Sequence, residues 1–188
     1  KEDTFTKAIK SCFKKAEKEN CLITLGIKPT RPDTGYGYIQ FKASDVAEKD
    51  KRMFKVKTFT EKPDSEMAKF FMDSGDFLWN SGIFIWSTKS IIESLEKNDA
   101  ELANVFKEGL DDYNTKNEKA FIQKAYSICK NISIDYSVME KANNVYVRAS
   151  IIGWSDLGTW GSLYTHIQKD KKNNAIVGKN VINYDSKN

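Results

Sequence analysis

The first thirty residues change from a helical to an extended hydrophobic pattern. Apolar residues recur every three or four positions between Phe5 and Ala16, which predicts an amphipathic helix capped by Asp3 or Thr4. The next apolar run, Cys21–Ile27, is nearly continuous and is bounded by polar and turn residues. Such a run is typical of a strand buried on both faces of a sheet. A helix followed by a buried strand indicates an α/β domain.

Extended and helical patterns continue to alternate along the chain. Extended segments are predicted at 38–41, 54–60, 77–86 and 145–149, and helices at 65–75, 88–95, 120–128, 133–142 and from 160 onward. The polar residues Asn80, Ser81 and Gly82 interrupt the segment 77–86, which therefore looks like a hairpin. Strands that recur about 20–35 residues apart with helices between them favour a layered α/β domain with a mixed sheet.

Composition and charge narrow the class of protein. The chain has 188 residues, 40% of them hydrophobic, which is enough for a sizeable core. Its 30 Lys and Arg against 26 Asp and Glu are spread along the sequence, so a nucleic-acid partner is not expected. No apolar run approaches the roughly 20 residues of a membrane span, and no secretory signal begins the chain. We therefore expect a cytoplasmic protein without a membrane partner.

Cysteine and histidine usage argues against a metal cluster of these residues. Cys12, Cys21 and Cys129 make an odd number without C-x-x-C spacing, and His166 is the only histidine. Reduced thiols in the core are the expectation. The standard nucleotide-binding and hydrolase signatures, G-x-x-x-x-G-K-[ST], G-x-G-x-x-G, H-E-x-x-H and G-x-S-x-G, do not occur in the sequence.

Four short polar clusters instead stand where apolar strands end, which is where open α/β sheets bind ligands. They are Thr34–Gly37, Glu61–Pro63, Trp79–Gly82 and Gly153–Trp160. Glycines in the first cluster allow a ligand to approach the backbone closely. The others offer a carboxylate next to an ammonium, an amide, and Asp156 as a hard oxygen ligand for Mg²⁺. Taken singly, each cluster is also compatible with an ordinary turn or helix cap.

Taken together and in order, these clusters resemble the sugar-nucleotide pyrophosphorylases, and most closely the mannose-1-phosphate guanylyltransferases. The matching segments are 25–39, 59–63, 78–84, 133–140 and 153–160. E-K-P and N-S-G are shared widely among these enzymes. T-G-Y-G-Y-I, W-N-S-G, S-I-D-Y and G-W-x-D-x-G-x-W together resemble the mannose enzymes specifically.

The resemblance implies the fold of the nucleotide-diphospho-sugar transferases, with GTP and mannose 1-phosphate as substrates and GDP-mannose and pyrophosphate as products. By position, it implies that the Gly37 backbone, the Glu61 carboxylate and the Asn80 amide hold mannose hydroxyls. The resemblance also implies that Lys62 meets the sugar phosphate and that Asp156 shares the Mg²⁺ cofactor with an aspartate absent from these residues. Lys62 and Asp156 are therefore the expected catalytic residues.

Two further residues, Asp135 and Tyr136, fall in a matching motif. The resemblance places Asp135 among the substrate-binding residues, but contact with the ligand and bracing of the pocket both stay open for this pair. W-N-S-G and S-I-D-Y disfavour a sibling pyrophosphorylase that acts on another hexose 1-phosphate, but this enzyme stays one alternative. A non-catalytic module that binds or senses sugar phosphates is the other.

The family's glycine-rich G-G-x-G-x-R-x-x-P loop and its later aspartate–histidine pair do not occur in these 188 residues. We therefore expect residues 1–168 to be the acceptor part of the catalytic domain. Residues 169–188 would be a linker and the start of a C-terminal β-helical region. A sheet divided in this way is expected to expose a strand edge and to self-associate through it, and the chain alone is expected to be inactive.

Overall fold

The computed structural model describes residues 2–47, 50–158 and 160–186. The elements in chain order are α1 (Glu2–Ala16), β1 (Leu22–Ile27), β2 (Tyr38–Ala47), β3 (Asp50–Thr60), α2 (Ser65–Ser74), β4 (Phe77–Trp86), α3 (Thr88–Asn98), α4 (Ala100–Lys107), α5 (Glu118–Ile128), a π-helical segment (Asp135–Met139), β5 (Val145–Ala149) and α6 (Trp160–His166). The contacts divide the chain into two units, Lys1–Ile152 and Gly153–Asn188.

The five strands of the described residues form one mixed sheet in the order β1-β4-β2-β3-β5, which closes because β5 also pairs with β1. The β1–β5 pair is parallel, and the other four pairs are antiparallel. The predicted mixed α/β class is confirmed. Each described strand pairs on two sides, so the expected exposed strand edge is not found among them. Self-association stays a prediction.

β1 is buried on both faces, as its continuous apolar run predicts. Ile23 and Leu25 pack in one cluster with residues of α1, and Leu22 packs in another with Val145 and Val147 of β5. All three cysteines are free thiols. Burial raises the pKa of Cys12 to about 12 and that of Cys21 to about 11, so both remain protonated core groups.

The segment 77–86 is not a hairpin. It is the single strand β4, whose register against β1 shifts between Thr24 and Gly26. The residues directly after Asn80, at positions 81–83, therefore form a bulge instead of a turn, and Gly82 adopts a left-handed φ of 70° within it. Turn residues and bulge residues have the same composition, which is why the sequence pattern suggests a hairpin.

Side-chain caps begin α2 and α3, whereas the predicted caps Asp3 and Thr4 lie inside α1, which includes Glu2. Asp64 accepts a hydrogen bond from the Met67 N–H at the start of α2, and Gly75 ends this helix with a φ of 79°. The N-cap of α3 is Ser87, whose hydroxyl accepts from the Ser90 N–H. The helix predicted at 133–142 is the short π-helical segment, whose wider turn brings the consecutive residues Ser137, Val138 and Met139 into the core.

The second unit contains α6 and a polar turn. Tyr164 donates to the carbonyl of Asn173, and an isolated antiparallel bridge joins Lys169 to Ala175. The expected β-helical start and the boundary at residue 168 stay predictions. Across the described parts of the chain, no helix is both long and apolar enough to cross a membrane. The cytoplasmic location stays a prediction too.

A nearly buried ion pair joins the sheet to α1. The Arg148 Nε of β5 lies 2.8 Å from Asp50 Oδ2 of β3, and the Ser11 hydroxyl of α1 donates to the same oxygen at 2.6 Å. Burial alone would raise the pKa of Asp50. The hydrogen bonds from Ser11, the Arg52 N–H and Arg148 outweigh burial and hold this pKa below its ordinary value.

Asp50→Asn should lower the free energy of unfolding at neutral pH by about 2 kcal/mol, because Arg148 then keeps a buried charge without its partner. A carboxylate whose pKa is lowered by folding stabilises the protein above its ordinary pKa, and this contribution is lost as the pH falls. The difference in the free energy of unfolding between Asp50→Asn and the unmodified chain, measured by urea denaturation, should therefore shrink below about pH 4. The exposed Asp73→Asn on α2 is the control, and equal stability of both variants at neutral pH would contradict the assignment.

Candidate functional site

The start of β2 brings three of the predicted residues together. Tyr38 of β2 is paired with Thr60 of β3 on one side and with Trp79 of β4 on the other. The residues next to these positions are Gly37, Glu61 and Asn80, which consequently lie side by side at one end of the sheet. The Asn80 N–H donates to the Gly37 carbonyl at 2.8 Å, which fixes their spacing.

Gly37 is required for the placement of the Glu61 carboxylate. A Cβ atom at position 37 would lie 2.2 Å from Glu61 Oε2 and 3.3 Å from the Cβ of Asn80. Because the first of these distances is far inside van der Waals contact, any side chain at this position would displace the carboxylate. The glycine predicted to allow close approach of a ligand therefore first allows close approach of Glu61.

Asn80 connects this end of the sheet to Asp135. Its Oδ1 accepts hydrogen bonds from the Thr24 hydroxyl at 2.9 Å and from the Gly82 N–H at 3.2 Å. Its Nδ2 donates to Asp135 Oδ1 at 3.0 Å. Asp135 is the first residue of the π-helical segment, so this hydrogen bond brings a fourth predicted residue into the cluster. Its neighbour Tyr136 has an exposed side chain.

Glu61 is held by its backbone and is incompletely paired at its side chain. The Glu61 N–H donates to Glu140 Oε1 at 3.0 Å. Lys62 Nζ lies 3.5 Å from Glu61 Oε1, and the side chains of Glu61 and Lys62 are 11% and 60% exposed. Glu61 Oε2 is buried without a hydrogen-bond partner among the described residues.

The surroundings of Glu61 disfavour its charged form. Burial raises its pKa above the ordinary value, the negative charge of Asp135 raises it further, and Lys62 opposes both effects. A buried acceptor without a donor costs about 1–3 kcal/mol. The last torsion of a glutamate side chain rotates easily, so the carboxylate could turn this oxygen toward a ligand. A hydroxyl group of the ligand could then donate to it.

The loop between β1 and β2 carries an aromatic and cationic cluster next to this site. The rings of Tyr36 and Trp79 meet edge to face with centroids 5.0 Å apart. The Arg31 guanidinium lies over both rings at 5.6 Å and 5.4 Å and pairs with Asp33. Both rings are buried, so they support the loop and do not form an open stacking surface. The indole N–H of Trp79 has no hydrogen-bond partner within the described chain.

Asp156 belongs to the second unit, Gly153–Asn188. Its Oδ1 accepts a hydrogen bond from the Gly158 N–H at 3.1 Å, within the glycine-bracketed turn that the sequence predicts. The neighbouring Thr159 lies outside the described residues. In the described ranges, no group of three acidic, histidine or cysteine side chains is arranged to hold a metal. Asp156 therefore offers a single carboxylate.

Three residues in and around this site are not evident from the sequence. Thr24 is a lone hydroxyl in an apolar strand, Glu140 acts on a residue 79 positions away, and Arg31 lies in a loop rich in polar residues. The only available signals are the polar position inside the apolar run and the position of Glu140 at the end of the segment 133–140. Neither signal indicates a partner.

Comparison with known proteins gives consistent matches. Residues 1–173 match the profile of a family described as Nucleotidyl transferase. The mannose-1-phosphate guanylyltransferase of Salmonella montevideo is 38% identical over 183 residues, covering 94% of this chain and 38% of that protein. The enzyme of the same description from Escherichia coli is 36% identical over 182 residues, covering 93% and 38% respectively. The chain thus spans well under half the length of these relatives.

A solved structure shows the same fold. The crystal structure described as mannose-1-phosphate geranyltransferase from Thermus thermophilus aligns with a TM-score of 0.74 and 27% sequence identity. The alignment covers 88% of this chain and 45% of that chain.

Glu61→Gln should raise the melting temperature, and the gain should grow as the pH rises. A folded state with a raised carboxyl pKa binds more protons than the unfolded state, so its stability falls as the pH rises above the ordinary value of 4.5. Glutamine removes this dependence. Melting temperatures at constant ionic strength between about pH 4 and about pH 8 measure the difference. Glu17→Gln, at an exposed position after α1, is the control. A constant difference across this range would contradict the assignment.

Proposed function

This chain belongs to the nucleotidyl transferase family, and we propose that it supplies the sugar-phosphate-binding part of an enzyme that makes GDP-mannose from GTP and mannose 1-phosphate. The observation that carries the proposal is the buried, unpartnered Oε2 of Glu61 beside Gly37, Asn80 and Asp135, within the part of the chain that the structure describes. The names of the relatives, mannose-1-phosphate guanylyltransferases, support the choice of substrates.

The groups in the cluster suit a polyhydroxylated ligand with one anionic end. Carboxylates accept hydrogen bonds from hydroxyl groups, and charge-assisted hydrogen bonds of this kind are stronger than neutral ones. The amide of Asn80 can donate to a hydroxyl oxygen. Lys62 is a cation next to these groups, and its exposed ammonium can meet a phosphate. A sugar phosphate combines all of these partners.

The proposed reaction requires positioning and charge neutralisation more than covalent help from the protein. A phosphate oxygen of mannose 1-phosphate attacks the α-phosphorus of GTP. The bond between that phosphorus and the oxygen that it shares with the β-phosphorus breaks. Pyrophosphate leaves with the bonding electrons. Holding the sugar through Glu61 and Asn80 directs the phosphate toward the nucleotide, and Lys62 reduces the negative charge that opposes the approach.

Asp156 fits the proposed Mg²⁺ as one ligand of several. Mg²⁺ is usually held by one or two carboxylates together with water and substrate phosphates, so a single aspartate is an adequate contribution from these residues. The ion would neutralise charge on the transferring phosphates. Asp156 would hold it through a carboxylate oxygen, in a turn already fixed by the Gly158 N–H.

Glu61→Ala and Lys62→Ala should weaken binding of mannose 1-phosphate in different ways. Each variant removes a charge-assisted contact worth about 1.5–3 kcal/mol, which corresponds to a roughly 10- to 100-fold weaker Kd. Glu61→Ala should also weaken binding of free mannose, whereas Lys62→Ala should not, because mannose carries no phosphate. Chemical-shift titrations of the isotope-labelled chain measure both ligands.

Lys69→Ala, at an exposed lysine on α2, is the matched control for charge. Glucose 1-phosphate, titrated in parallel, tests the choice of hexose. Unchanged binding of mannose 1-phosphate in both Glu61→Ala and Lys62→Ala would contradict the proposed site. Equal losses for mannose and for its phosphate in Lys62→Ala would contradict the assigned role of the lysine alone.

Asp156→Asn should reduce binding of a divalent cation without a change in melting temperature. Asparagine keeps the shape of the side chain and its hydrogen bond from Gly158, but it lacks the negative charge that a hard cation requires. Mn²⁺ serves as the probe, since its paramagnetism broadens the resonances of nearby residues. We expect broadening around residue 156 in the presence of pyrophosphate, and its loss in the variant. Broadening that persists in Asp156→Asn would exclude the residue as a ligand, and Asp73→Asn controls for the loss of charge.

A further inference from the structure

We propose that Thr24 is a positioning residue that fixes the Asn80 amide so that Asn80 meets the ligand only as a hydrogen-bond donor. The identity of the ligand rests on the proposed function, but the orientation of the amide does not. Thr24 is fully buried in β1, so it acts through Asn80 and not by contact with a ligand.

The partners of Asn80 assign the two ends of its amide. A backbone N–H can only donate, so Gly82 requires an oxygen opposite it, and a carboxylate can only accept, so Asp135 requires the NH₂ group. The Thr24 hydroxyl lies 2.9 Å from the same oxygen and 3.5 Å from the Leu25 carbonyl, so its single hydrogen is directed to the closer acceptor, Asn80. An amide oxygen has two lone pairs, and these two donors occupy both of them.

This saturation determines what remains for a ligand. With Oδ1 fully used and one hydrogen of Nδ2 directed to Asp135, the amide has its second hydrogen to offer. A ligand hydroxyl at Asn80 must therefore accept through its oxygen, while its own hydrogen is directed to another acceptor. Glu61 Oε2 is a buried acceptor without a partner among the described residues of this cluster. Thr24 thus helps to set the direction of the hydrogen bonds across the site.

The bulge in β4 makes this arrangement possible. Thr24 is paired with Phe84, and Gly26 is paired with Asn80. Three residues of β4, at positions 81–83, therefore stand opposite the single residue Leu25 of β1. The left-handed φ of Gly82 turns the chain within these extra residues, and the Gly82 N–H reaches the side chain of Asn80 two positions earlier. In a regular strand, that N–H would take part in the hydrogen bonds between neighbouring strands.

Thr24→Val and Thr24→Ser provide the test, since valine keeps the shape and loses the hydroxyl, whereas serine keeps the hydroxyl. The first measurement needs no ligand: the side-chain NH₂ resonances of Asn80 should move in Thr24→Val and stay close to their original positions in Thr24→Ser. The second is the Kd of mannose 1-phosphate, which should weaken roughly two- to tenfold in Thr24→Val, as expected for one lost hydrogen bond. Thr24→Ser should restore most of the affinity.

A double-mutant cycle separates positioning from a general loss of stability. If Thr24 acts through Asn80, Thr24→Val should have no further effect on the Kd in an Asn80→Ala background. Ser90→Ala on α3 removes another buried hydroxyl, one that bonds to Ser87. It should lower the melting temperature without a change in the Asn80 resonances or in the Kd.

Two results would overturn the proposal: unmoved Asn80 resonances in Thr24→Val, or an equal loss of affinity with and without the Asn80 side chain. If Thr24→Val does not fold, the unmodified chain decides, since the buried Thr24 hydroxyl proton should exchange slowly and give a nuclear Overhauser effect to the Gly82 N–H. Absence of that proton would count against the proposal. Failure of the proposed function gives a different result, because binding would then be insensitive to Glu61→Ala while the Asn80 resonances still respond to Thr24→Val.

Discussion

The double pairing of Tyr38 at the start of β2 is the constraint on which the candidate site depends. With Thr60 on one side and Trp79 on the other, this residue fixes the distance between the end of β3 and the first part of β4. The residues that follow or precede these positions, Gly37, Glu61 and Asn80, have no freedom to separate. Their proximity is therefore a property of the sheet register and does not require a ligand.

The sheet also forces an unfavourable environment on Glu61. Its carboxylate lies against the backbone of Gly37, and one carboxylate oxygen is buried without a donor among the described residues. The Glu140 side chain accepts a hydrogen bond from the Glu61 N–H and so holds the backbone in place. Its negative charge, however, further disfavours the charged form of the Glu61 side chain. Stability lost at such a position is consistent with a binding group whose hydrogen bonds are completed only by a ligand. A structural carboxylate would be expected to have its partners already in place.

Sequence patterns predict the parts of this arrangement that depend on local chemistry. The burial of β1 on both faces follows from its continuous apolar run, and Glu61, Asn80 and Gly37 follow from the resemblance that the order of the polar clusters carries. The bulge in β4 is not predicted, since Asn80–Gly82 has the composition of a turn as well. α4 is not predicted either, although Leu102, Val105 and Phe106 have helical spacing, and none of its residues is buried. Thr24 and Glu140 act over 56 and 79 positions, so only the tertiary structure reveals their partners.

The distribution of charge in the cluster gives the proposed ligand one orientation. Glu61 and Asp135 place negative charge at the inner end, next to the buried hydrogen bonds of Asn80, where a phosphate would be repelled. Lys62 is the more exposed neighbour, and its backbone adopts a left-handed φ of 48°, an uncommon conformation for a residue other than glycine. That conformation directs the chain away from the extended path of β3 directly after Glu61. The proposed sugar phosphate therefore binds with its hydroxyls toward Glu61 and its phosphate at the solvent-facing ammonium of Lys62. A second phosphorylated substrate could approach the phosphate from this exposed side.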